Sequence, residues 1–266
     1  MIFDPVFGSG LGAAPMPDDP SRLVPLEGTF NFRDVGGYPV AAGGTLRHGR
    51  LYRSDALSEL SDADLETLGE IGLGAVLDLR ETYEWKASPD RVEGLNADQR
   101  YVPVFADSLF ADGFDHITEP ITLPKLYDMM VSDHAEQLAL AVTNLSETIS
   151  APSVVHCTAG KDRTGMVTAL TLSALGVPEQ WVVRDFAATE SFLGEAFVAR
   201  VKQHYARNGF PASMASNPTL APAELMVAML ARIREEHGGA ERFLIDHGTP
   251  SSALDALRRE LVVGAA

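Results

Sequence analysis

The chain has a single cysteine, Cys157, in the run His156-Cys157-Thr158-Ala159-Gly160-Lys161-Asp162-Arg163-Thr164-Gly165. A cysteine and an arginine with five residues between them, followed at once by a hydroxyl, suit attack of a thiolate on a bound phosphoryl group. If a strand leads in and a helix leads out, successive backbone N–H groups point into one concave nest backed by the helix N-terminus. A phosphate dianion is satisfied there by the amides of Thr158, Ala159, Gly160, Lys161, Asp162 and Arg163. The Arg163 fork can also grip two phosphate oxygens. The same donors favour a thiolate at Cys157, whereas a free cysteine is only about 3% ionised at neutral pH. Gly160 permits the tight turn. Thr164 can hydrogen-bond the sulfur and ease its departure from phosphorus. His156 is expected as a structural hydrogen-bonding group behind the loop.

Other readings of these residues fail on spacing. A nucleotide-binding loop needs Gly-Lys followed by Ser or Thr, and here Asp162 follows Lys161. One cysteine beside one histidine cannot make a zinc site, and a disulfide within the chain is excluded. A lone cysteine is ordinarily a small buried hydrophobe; the company Cys157 keeps argues otherwise.

The elements needed to position this loop are legible around it. Ser153 to Val155 reads as a short strand, and Thr164 to Leu175 as a helix closed by Gly176. That helix is apolar on nearly all sides, which predicts burial. Leu51 to Ser54, Ala75 to Leu79 and Tyr101 to Val104 read as further strands. Ser61 and Asp64 form a capping box for a helix that Gly72 ends. The apolar spacing predicts one long helix over Lys125 to Ile149 and helices from Pro178 to the end, broken near Asn208 to Ala221. Met1 to Arg22, rich in Gly, Pro and Asp, is expected to be a flexible leader. Alternating strands and helices predict an α/β fold.

The formal net charge is −16, which disfavours nucleic acid and anionic membranes as partners. An anionic substrate must then be held by a local cationic pocket. No apolar run reaches the roughly 18 residues of a membrane span, so no stable membrane insertion is expected. The N-terminus has neither the basic region nor the apolar stretch of a signal peptide, so a cytoplasmic location is the default, with signal-less secretion compatible.

Upstream of the loop stand Asn31-Phe32-Arg33-Asp34-Val35-Gly36-Gly37-Tyr38, Gly49-Arg50-Leu51-Tyr52-Arg53-Ser54 and Leu77-Asp78-Leu79-Arg80. Together with the Cys157 loop, these motifs resemble, in order, the bacterial tyrosine/lipid phosphatase family of the protein tyrosine phosphatase superfamily. The resemblance runs from about Leu26 to the C-terminus. It implies a three-layer αβα cysteine phosphatase fold with a small, mostly parallel central sheet. It also implies a cysteine-dependent phosphatase domain over Leu23 to Ala266, with lid-like helices over about 180–240. The implied reaction is phosphomonoester hydrolysis through a phosphocysteine, with no metal and no organic cofactor. Implied substrates are phosphorylated proteins or peptides, and phosphoinositides.

The leaving oxygen needs a proton, usually from a carboxylic acid. No Trp-Pro-Asp tripeptide occurs in the chain. Asp162, where the family pattern carries an Asp, is preferred as the donor. Asp78, expected at the carboxyl edge of the sheet, is the alternative. Arg33 and Asp34 are expected to buttress the fold. Lys161 either adds a second cation for multiply phosphorylated substrates, as in similar loops of phosphoinositide phosphatases, or pairs with a carboxylate. Two other functions compete: an inactive phosphate-binding module, and a rhodanese-like sulfurtransferase, which the spacing of Arg163 and Thr164 opposes.

Overall fold

The computed structural model describes residues 16–107, 121–207 and 218–264. Five strands make the central sheet: β1 (Arg33–Asp34), β3 (Leu51–Ser54), β4 (Ala75–Asp78), β5 (Asp98–Tyr101) and β6 (Ser153–His156), in the order β1-β3-β6-β4-β5. Only β1 runs antiparallel, so the sheet is mostly parallel. A separate pair joins β2 (Thr45–Leu46) to β7 (Val262–Val263).

Strand alternation divides the core in two. Leu51, Leu77 and Val155 join the large apolar cluster on one face, beneath α4 (Ala135–Thr148) and α5 (Asp162–Ala174). Tyr52, Val76 and Val154 point the other way, toward Leu68 of α1 (Asp62–Glu70). This is the expected three-layer αβα arrangement. Ser61 and Asp64 make the expected capping box for α1. Thr164 through Leu172 of α5 are all buried, as its apolar sequence predicts.

Four readings need correction. The strand expected at Tyr101 to Val104 lies three residues earlier, because β5 is a mostly exposed edge strand while the apolar Val102 and Val104 are buried just beyond it. The long helix is two, α3 (Leu123–Ser132) and α4, parted at His134, whose φ of −128° is not helical. The buried residues Tyr127, Met130, Val131, Ala135 and Leu138 keep helical spacing across the break, which hides it from periodicity. The chain beyond Pro178 is not helical to its end, since β7 follows α9 (Ser251–Leu261). Finally, of the expected leader, residues 1–15 lie outside the described residues, but Pro20–Arg22 form a 3-10 turn. Buried Arg22 there donates to the Gly36 carbonyl at 2.7 Å.

The remaining helices, α2 (Thr82–Ala87), α6 (Glu179–Arg207), α7 (Ala223–His237) and α8 (Ala240–Asp246), complete the shell. Helix α6 is interrupted at Gly194, with φ 58° and ψ −171°. Of the break expected near Asn208 to Ala221, residues 208–217 lie outside the described residues. Among the described residues no helix is long and apolar enough to cross a membrane.

Candidate active site

The register of the sheet sets Ser54, His156 and Asp78 side by side at the carboxyl ends of β3, β6 and β4. Cys157 emerges from the central strand of this row, and the loop after it enters α5 at Asp162. The loop's carbonyls are tied outward. Thr158 O accepts from Ala56 N at 3.2 Å, and Gly160 O accepts from Arg53 Nη2 at 2.7 Å. Asn31 Nδ2 reaches Ala159 O and Gly160 O, each at 3.3 Å. Among the described residues no acceptor takes the N–H groups of Thr158 to Lys161. Lys161, at the N-cap of α5, makes no side-chain cap bond, so the first-turn amides also stay open to a ligand. Gly160 has φ +63°, and a Cβ there would run into the carbonyl of Ser54. The turn thus needs glycine on two counts.

Cys157 is a free thiol, 2% exposed, and belongs to the large core cluster. Arg163 turns back over the same loop, with Nη2 at 3.3 Å from Thr158 Oγ1. Its Nη atoms also grip Glu84 of α2, at 2.5 and 3.0 Å. Thr158 Oγ1 donates to the same carboxylate. Among the described residues, the hydrogen bonds of Arg163 all run from its Nη atoms and none from Nε. Burial alone would push the Arg163 pKa down, but Glu84, the charge of Cys157 and Glu81 outweigh it and hold the guanidinium protonated. Burial would push Glu84 up, but Arg163 and the Thr158 hydroxyl hold it down at about 2. Thr164 Oγ1 is buried without a partner, so the expected bond to sulfur is not made in this arrangement.

The two candidate proton donors fare differently. Asp162 opens α5; its side chain is 22% exposed, and Oδ1 accepts from Tyr127 Oη at 3.0 Å. Asp78 ends its strand as expected but does not project into the crevice. It is 1% exposed and folds back on Arg80, whose backbone N, Nε and Nη2 all donate to it at 2.7–3.1 Å. A local ion pair with the second residue along has captured it. Arg80 also holds Asp90 at 2.8 Å, and Asp90 binds His156 Nε2 at 2.9 Å. The Asp78, Asp90 and His156 ligand atoms lie within 4.8 Å of one another, a spacing that could serve a metal, but Arg80 supplies the positive charge between the two carboxylates. His156 is fully buried, with Nδ1 3.3 Å from Cys157 O. Burial pushes its pKa down, yet Asp90 and then Asp78 outweigh that and raise it. The ring thus lies between the Asp90 carboxylate and the Cys157 carbonyl.

Lys161 is 3% exposed, and its Nζ donates to Leu220 O at 2.8 Å, with Asp162 Oδ2 at 3.7 Å. Its close contact is therefore a backbone carbonyl, with the Asp162 carboxyl group farther off.

A second buried network braces the loop from the β1 side. Arg53 Nη1 binds Asp185 at 2.5 Å, while Arg33 reaches Asp185 O at 2.8 Å and Thr189 Oγ1 at 3.1 Å. Arg33 Nη1 also donates to Asn31 Oδ1. Asp34 accepts from Gly36 N at 2.8 Å and Gly49 N at 3.1 Å, fixing the neighbouring turns. Sequence reasoning assigned no role to Glu84, Arg53, Asp185, Asp90 or Tyr127. Glu84 carried a signal of another kind: it closes a capping box with Glu81, which reads as helix chemistry.

A family model described as "Tyrosine phosphatase family" matches residues 24–263. "Triple specificity protein phosphatase PtpB" of Mycobacterium tuberculosis is 28% identical over 276 aligned positions, covering 89% of this chain and 98% of that protein. "Tyrosine-protein phosphatase" of Nostoc commune is 26% identical over 217 positions, covering 79% and 73%. Among solved structures, P. aeruginosa TpbA aligns at 16% identity with a TM-score of 0.35, covering 68% of this chain and 86% of that one.

Proposed function

The chain belongs to the tyrosine phosphatase family, and on that premise we propose that it hydrolyses phosphomonoesters through a phosphocysteine at Cys157. One observation carries the reading. Arg163 folds back onto the loop that Cys157 begins, and among the described residues neither its Nε nor the loop amides meet a protein acceptor. Phosphate seated there is held by the amides and by the guanidinium. The Cys157 thiolate then attacks phosphorus, and the leaving oxygen takes a proton from Asp162. Water attacks the phosphocysteine next, giving a proton to the Asp162 carboxylate and returning the thiolate. The unpartnered Thr164 hydroxyl can turn to the departing sulfur. Asp78 and His156 support the loop from behind.

Phosphotyrosine in proteins or peptides is the substrate this reading favours, with phosphoserine, phosphothreonine and phosphoinositides as further candidates. The mycobacterial relative, a triple specificity protein phosphatase, supports that breadth. The lid reading of the helices over about 180–240 draws support from Leu220, whose carbonyl rests on Lys161 at the loop. Membership in a phosphatase family disfavours the sulfurtransferase and inactive-module readings.

The test compares wild type with Cys157→Ser on phosphotyrosyl and phosphothreonyl peptides and phosphoinositides. Wild type is expected to turn over the phosphotyrosyl peptide, and the variant to bind it while losing turnover by more than about 1,000-fold. Turnover retained by the serine variant would refute the mechanism.

A further inference from the structure

Tyr127 is a polar side chain with no solvent exposure, held in the short helix α3. Its hydroxyl donates to Asp162 Oδ1 at 3.0 Å. Its ring stands edge-on to Phe186, centroids 6.0 Å apart, and Phe186 in turn borders Gly165 in the first turns of α5. Burial first, and then the charge of Asp162, hold the phenol protonated well above its ordinary range, so it stays a donor at any working pH. A phenylalanine would fill the same space, and packing alone does not call for the oxygen.

We infer that Tyr127 is a positioning residue for the proton donor. This rests on the reading of Asp162 as the acid. With Oδ1 engaged as the acceptor from Tyr127, the proton that Asp162 carries is confined to Oδ2. As the S–P bond forms and the P–O bond breaks, the leaving oxygen takes that proton. The O–H electron pair stays on the carboxylate, which Tyr127 and Lys161 face. A carboxyl free to rotate would present the proton correctly only part of the time.

Tyr127→Phe, Asp162→Asn and the double variant are assayed on a series of aryl phosphates running from p-nitrophenyl to phenyl phosphate. Proton donation matters little for the good leaving group and much for the poor one. Tyr127→Phe is expected to lower kcat/KM about tenfold on phenyl phosphate and less than about twofold on p-nitrophenyl phosphate. The second figure doubles as a control for folded, competent enzyme. The double variant is expected to be no worse than Asp162→Asn alone, because both changes remove one function. If Asp162→Asn steepens the leaving-group dependence and Tyr127→Phe does not, the positioning role falls while the acid stands. If Asp162→Asn leaves the dependence unchanged, the acid assignment falls and the positioning role with it.

Discussion

Arg163 must be held still before substrate arrives and yet be able to grip it, and its two edges divide the work. The Nη atoms bind Glu84 at 2.5 and 3.0 Å, while Nε has no described protein acceptor. A guanidinium fixed at one edge loses less freedom when phosphate takes the other. Glu84 is the titratable partner in this arrangement, held at about 2 against an ordinary 4.5. A carboxyl with a depressed folded-state pKa contributes stability above its unfolded value and loses it as pH falls toward the folded one. Denaturation midpoints of wild type are therefore expected to drop more steeply between pH 4.5 and 2 than those of Glu84→Gln. The same variant should raise KM for aryl phosphate several-fold at neutral pH, since Arg163 loses its anchor. Parallel stability curves for the two proteins would show that the pair carries no such weight.

At the scale of elements, the site is a strand end, a glycine turn and a helix start, and each supplies one part of the cradle. The turn depends most on one residue. Alanine at position 160 would have to adopt φ +63° and clear the Ser54 carbonyl. The backbone conformation alone costs about 1–2 kcal/mol. Gly160→Ala is expected to lower the melting temperature and cut kcat/KM at least about tenfold, measured by thermal unfolding and steady-state assay. Wild-type values would mean the loop is less constrained than its contacts indicate. This loop was legible in the sequence because its chemistry is local: Cys157, Gly160 and Arg163 lie within seven residues, between a β-branched strand and a capless helix. What was missed is non-local. Arg53 and Asp185 meet 132 positions apart, and Glu84 reaches Arg163 across 79, and no spacing rule covers such pairs. Asp78 shows a related effect. Strand register placed it at the correct edge, but Arg80, two residues on, turned its carboxylate inward. The α3–α4 break escaped notice because buried residues on both sides of His134 continue one apolar stripe.

Across the molecule, the largest buried cations among the described residues are matched by buried carboxylates. The chain carries a formal net charge of −16, yet the largest fully buried side chains are Arg33, Arg53 and Arg80. Each has a carboxylate partner, and Arg33 and Arg53 share a single one, Asp185. Buried cations so paired stiffen the platform from which the loop rises, whereas an unpaired one would cost several kcal/mol in desolvation. An acidic exterior around such a centre suits a phosphatase that takes its anion through local donors instead of long-range attraction. The account stands on a covalent bond between phosphorus and the sulfur of Cys157. Mixing wild type with excess phosphotyrosyl peptide, quenching in acid within milliseconds and mapping the modified peptide by mass spectrometry tests that bond directly. A phosphoryl group on the peptide containing Cys157, forming before free phosphate appears, is the predicted result. Phosphate released at the full rate with Cys157 unmodified at every time point would contradict it.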